Sequence, residues 1–221
     1  AAIAGGVAEA DHIHQARVGL RRLRSALKHF SNWSEHINPA WESELADIFR
    51  ALGQSRDHDA IQDSVIPLIK EVCDFDFALS SSTDPEIATR LSNTQTTQLF
   101  LSLLSFIYSE NEAKTKLSKQ VAKSLSKLYH KILKDASQFP ELSIEQQHLT
   151  RKRVKQLRYC IDFTAGLYPE KQVQQFLDKL QPIQEYLGFY NDLFVAEQIF
   201  QQQVSEKPEF LFALGWIKAQ Q

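Results

Sequence analysis

The sequence predicts an all-α protein carrying an internal duplication, on three observations. Apolar residues recur with the 3.6-residue period of a helix in nine segments, and no segment alternates with period two for long enough to make a strand. Seven glycines and seven prolines in 221 residues are too few for a chain of many tight turns. A basic pattern near the start returns in the second half with its spacing preserved.

The helices are expected at 11–31, 40–53, 57–73, 85–108, 111–138, 144–167, 170–188, 191–204 and 208–219. Asn38-Pro39 separates the first two, and Gly53 closes the second. The run Ser80-Ser81-Ser82-Thr83-Asp84-Pro85 divides the third from the fourth. Phe139-Pro140 and Tyr168-Pro169 bound the sixth, because proline cannot continue a helix hydrogen-bond ladder. Gly188 is expected to end the seventh, and Lys207-Pro208 to begin the last.

At 43% apolar residues the chain has enough material for a core, so a disordered tail is excluded. Cys73 and Cys160 show no metal or disulfide spacing, which predicts a reducing compartment and two small core residues. The longest apolar run, Leu99 to Tyr108, falls far short of the roughly 20 residues that span a bilayer, so no membrane is expected. The first ten residues lack the basic start and apolar stretch of a signal peptide. A chain without methionine is expected to begin downstream of its natural first residue.

The charge distribution is more informative than the charge. The formal net charge is −2, yet segments 11–31, 112–135 and 148–158 hold 17 of the 25 Lys and Arg. At about 100° per residue, Arg17, Arg21, Arg24 and Lys28 share an arc with His14, and Leu20, Leu23, Leu27 and Phe30 form the neighbouring apolar face. His148, Arg151, Lys155 and Arg158 repeat this at an offset of 134 residues, with Val154, Leu157 and Ile161 on the apolar side. Lys116, Lys119, Lys123, Lys127, Lys131 and Lys134 stripe a third helix.

A charged stripe is ordinarily a solvated face, with Glu interleaved among Lys. No acidic residue lies between Asp11 and Glu35 or between Glu145 and Asp162, so like charges at i, i+3 and i+4 repel without relief. An anionic ligand would relieve them. The duplication extends to Leu52-Gly53-x-x-x-Asp57 and Leu187-Gly188-x-x-x-Asp192, which gives one domain over 1–221 made of halves 1–108 and 109–221. The second basic helix follows a long lysine-rich helix. Its counterpart before the first is expected to be truncated.

The pattern His14-x-x-Arg17-x-x-x-Arg21-Arg22-x-Arg24, its recurrence as His148-x-x-Arg151-x-x-x-Lys155-x-x-Arg158-Tyr159, and the two Leu-Gly-x-x-x-Asp elements closely resemble the CHAD family, the conserved histidine α-helical domain. The resemblance covers essentially the whole chain. It implies two repeated helical bundles related by a pseudo-twofold axis, with the histidine helices lining a basic cleft or pore. The implied ligand is inorganic polyphosphate, the implied neighbours are CYTH-type triphosphatase domains, and the expected location is the cytoplasm, at polyphosphate granules.

The candidate polyphosphate ligands are His14, Arg17, Arg21, Arg24 and Lys28 on one stripe, and His148, Arg151, Lys152, Lys155 and Arg158 on the other. Arg22, replaced by Gln156 in the second copy, carries less weight, and Lys119, Lys123 and Lys127 are included from the lysine helix. At about 1.5 Å per residue, His14 to Lys28 spans several phosphates of a linear chain.

Asp57 and Asp192 are read either as caps of the following helices or as carboxylates that orient an arginine. His12, His14 and His58-Asp59 do not make a metal site, since residues at i and i+2 leave a helix on different faces. No catalytic constellation, cofactor motif or base-stacking platform accompanies the stripes, and Tyr108, Tyr129, Phe163 and Tyr186 fall at core periodicity or helix ends. Two rivals remain. One is a histidine phosphotransfer bundle, whose His-x-x-Lys-Gly motif is imperfect at Arg17, Val18 and Gly19; the other is non-specific nucleic-acid binding.

Overall fold

Twenty-one residues without a proline, Ala10–Phe30, form α1, with Asp11 in the first turn and Lys28 and His29 in the last, as the helix dipole favours. The structure, a computed structural model, describes residue 3 and residues 10–31, 34–73, 87–109 and 116–221. The remaining helices are α2 (Ala40–Ala51), α3 (Gly53–Ser64), α4 (Ile66–Lys70), α5 (Ile87–Ser92), α6 (Thr94–Tyr108), α7 (Leu117–Ala136), α8 (Ile144–Thr164), α9 (Glu170–Gln203) and α10 (Phe210–Gln220). Among the described residues there is no strand, and no helix is long and apolar enough to cross a membrane. The loop 80–85 and nearly all of the segment preceding α1, where a truncated helix was expected, lie outside the described residues.

Three boundaries depart from expectation. The segment expected as helix 57–73 starts earlier, at Gly53, and is divided at Val65, because Pro67 lacks the N–H that would continue the ladder and sits in the first turn of α4. The segment expected as helix 85–108 is divided by Asn93, extended at φ −69° and ψ 157°, whose side chain accepts from the Thr96 amide at 2.7 Å. Gly188 does not end a helix. It lies inside the 34-residue α9, which also runs through Pro182.

The positions of the two aspartates remove the capping role offered for them. Asp192 is in mid-helix, and caps nothing; it accepts from Ser64 Oγ at 3.4 Å. Asp57 also falls within a helix, α3, and not before one.

The helices gather into two compact units, and the division runs across the two sequence halves. One unit comprises residues 1–52 and 85–184, and the other residues 53–84 and 185–221. In the first unit α1, α2 and α6 bury Ile13, Leu20, Trp41, Leu45, Leu99 and Leu103. α8 packs on both α1 and α7, and buries Val154, Leu157 and Cys160. It opens with a reciprocal cap in which Ser143 Oγ accepts from the Gln146 amide and the Gln146 side chain accepts from the Ser143 amide.

In the second unit Ile61, Val65, Ile66 and Ile69 pack with Leu193, Ala196, Phe200, Phe210, Ala213 and Ile217, and the Phe200 and Phe210 rings lie 4.8 Å apart. Cys160 is the core residue expected, its thiol pushed up to about 12 by burial, whereas Cys73 is half-buried. Tyr108 falls at a helix end as expected, closing α6, whereas Tyr186 corrects the aromatic expectation: it lies inside α9 and is 65% exposed.

Candidate functional site

α1 presents its arginines to α2, and the aromatic ring of Phe49 organises them. The Arg17 guanidinium sits 4.3 Å from the ring centroid, with Arg21 at 5.5 Å and Arg24 at 5.6 Å. Cations within about 6 Å of a ring face are attracted by its quadrupole. Phe49 therefore offsets part of the repulsion that the sequence left unrelieved. Arg17 also donates from Nη1 to the Phe49 carbonyl at 3.3 Å.

Arg17 is consequently turned inward, at 9% exposure, where an exposed stripe residue was expected. Its helical position explains this, because it lies on the edge of the arc nearest the apolar face, alongside α2. Arg24, on the same edge, meets Glu42: Oε1 accepts from Arg24 Nε at 3.0 Å and Nη2 at 2.8 Å, and lies 3.2 Å from Lys28 Nζ. Burial pushes the Glu42 carboxyl up, but the hydrogen bonds from Arg24 and Lys28 outweigh it and hold the group below the usual carboxylate range. Lys28 itself remains exposed.

The α8 stripe is placed against α1 in antiparallel fashion. Arg22 meets the far part of α8, with Nη1 3.7 Å from Asp162 and the guanidinium over the rings of Tyr159 at 5.8 Å and Phe163 at 5.4 Å. Arg24 and Lys28 instead approach Lys152. The Lys152 ammonium is pushed below the usual lysine range by burial first, and then by the charges of Arg151, Arg24 and Lys28. The charges of Arg24 and Lys28 on α1 thus bear on Lys152 of α8, whose side chain is exposed.

Arg151, Lys155 and Arg158 are half-buried, and Arg158 donates from Nη1 to Gln184 Oε1 at 2.9 Å. His14 and His148 are half-buried too, but the antiparallel pairing sets them toward opposite ends of the helix pair. They do not face one another.

Lys119, Lys123 and Lys127 stand exposed on α7, on the side opposite the buried Val121 and Leu128. Arg153, which shares the basic run of α8 but not its stripe, pairs with Asp135, and the same carboxylate accepts from Thr150 Oγ1 at 3.1 Å. Among the described residues no group of three His, Cys, Asp or Glu side chains is placed to hold a metal ion.

Sequence reasoning missed Glu42 and Phe49. Both lie on α2, seven residues apart and so on one helix face, beside the buried Leu45. The available signal was that spacing: a carboxylate and a ring two turns apart, on the helix that follows the basic one.

The family model of the CHAD domain matches residues 2–201. The crystal structure of the CHAD domain from the plant Ricinus communis aligns with a TM-score of 0.75 at 27% identity, over 96% of this chain and 77% of that one. No curated protein matches the chain.

Proposed function

The chain belongs to the CHAD family, and on that premise we propose that it is a non-catalytic module that binds inorganic polyphosphate between the stripes of α1 and α8. The observation that carries this reading is the packing of α8 on α1, which brings Arg24, Lys28 and Arg151 close enough to Lys152 for their charges to add to burial in lowering its ammonium. Such crowding costs free energy in the empty protein and is relieved by a polyanion, which cancels the repulsion and releases its own condensed counterions. Arginine supplies paired N–H groups to phosphate oxygens, and lysine supplies a point charge.

The duplication supports a pseudo-twofold arrangement of the two stripes. Arg24 lies over Phe49 and Arg158 bonds Gln184, and both members of the second pair stand 134 to 135 residues beyond those of the first. His14 and His148, one toward each end, would donate N–H groups to the phosphate chain where it enters and leaves. The lysine face of α7 would extend the site, and a CYTH-type triphosphatase would be the partner that uses the bound polymer. The reading suits a reducing compartment, and a cytoplasmic location at polyphosphate granules.

Calorimetry with polyphosphates of defined length tests the proposal, with duplex DNA as competitor. Affinity is expected to rise with chain length, to fall with salt at a log-log slope of several units as for other polyanions, and to survive excess DNA. Equal displacement by DNA would make the site a general nucleic-acid binder, and a slope near zero would remove the electrostatic mechanism.

A further inference from the structure

Glu42 stands where a ligand oxygen would stand. One atom, Oε1, takes two N–H donors from Arg24 and lies within 3.2 Å of the Lys28 ammonium. Convergence of guanidinium and ammonium donors on a single anionic oxygen is how these groups hold a phosphate. The corresponding residue of the other stripe is held differently. Arg158, which the duplication pairs with Arg24, donates to the amide oxygen of Gln184. An amide presents only a dipole, whereas a carboxylate carries a full charge that repels an arriving anion.

Resting on the polyphosphate reading, we infer that Glu42 is a resident counter-anion: it occupies Arg24 and Lys28 in the ligand-free protein and must leave them before a phosphate chain engages α1. Affinity of the α1 cations for the polymer is then set by the difference between phosphate and carboxylate on the same donors. Glu42 acts through Arg24 and Lys28, so it is a positioning residue that sets how much anionic charge a ligand needs. It also explains how so basic a helix is stable without ligand, since the net positive charge of that end of α1 is reduced by one.

The test measures binding of one polyphosphate length to wild type and to Glu42→Gln across a salt series, with Glu42→Ser as a second variant and circular dichroism as a check of helicity. Removal of the carboxylate is expected to tighten binding roughly threefold to tenfold at moderate salt. It is also expected to steepen the log-log salt slope by about one unit, because one more net positive charge is available to the ligand. In an Arg24→Gln background the effect of Glu42→Gln should shrink to less than half. Weaker or unchanged binding in folded Glu42 variants, with an unchanged slope, would overturn the inference and make Glu42 a simple clamp on the helix. Failure of the wild type to bind polyphosphate at any salt would remove the underlying reading as well, a result distinct from binding that Glu42 does not modulate.

Discussion

Arg17 and Lys119 are both candidates by sequence, and packing separates them. Arg17 is closed in by Phe49 while Lys119 faces solvent, a difference set by which neighbour each helix face meets. The stripe residues were legible because charge and helical period lie in the chain itself. The neighbours were not, because the approach of α2 to α1 is a tertiary fact. Replacing Phe49 with Leu keeps the charge and most of the apolar volume but removes the ring shared by three guanidiniums. It is expected to cost about 1 to 2 kcal/mol of stability and to weaken polyphosphate binding severalfold, whereas Phe49→Tyr should keep both; urea titration alongside calorimetry checks the pair. Glu42 gives a pH dependence whose sign follows from its depressed carboxyl. The stabilisation is present above the ordinary value of 4.5 and is lost as pH falls below it through the folded-state value. Urea midpoints measured at neutral pH and near pH 3 should therefore fall further for wild type than for Glu42→Gln.

At the scale of elements, every expected helical segment contains helix among the described residues, and the errors concern where helices start and stop. Asn93 is a cap that the periodicity around it concealed, since the apolar rhythm runs on either side. Gly188 looked like a stop because glycine commonly follows a helix, yet here Leu187, Leu193 and Ala196 are buried on both sides of it and their burial carries the helix through. A Cβ built on Gly188 meets nothing within 4 Å, so the position holds glycine without a packing need. Gly188→Ala is accordingly expected to raise stability by about 0.5 to 1 kcal/mol, visible as a higher denaturant midpoint at constant slope; a loss of stability would show that α9 must bend at this point.

For the whole molecule the net charge of −2 conceals the candidate site, and the duplicated basic run points to it. The duplication also shows what sequence could not convey, because a repeat in the chain invites a boundary between the copies, at 108, and the compact units fall elsewhere. Each half gives its basic helix to one unit and its Gly-x-x-x-Asp segment to the other. Fragments 1–108 and 109–221 should therefore each lack a complete second unit: Ile61, Val65, Ile66 and Ile69 would be parted from Leu193, Phe200, Phe210 and Ile217. Separately they are expected to bind a hydrophobic dye and to melt without a sharp transition, and on mixing to recover one; a cooperative melt of both fragments alone would contradict this. The same interleaving reaches back to the ribosome. At about 5 to 20 residues per second, the apolar face of Ile61 to Ile69 is made roughly 6 to 25 seconds before its partners exist, so every molecule passes through an interval in which a nascent sticky surface must be shielded by something other than its own chain.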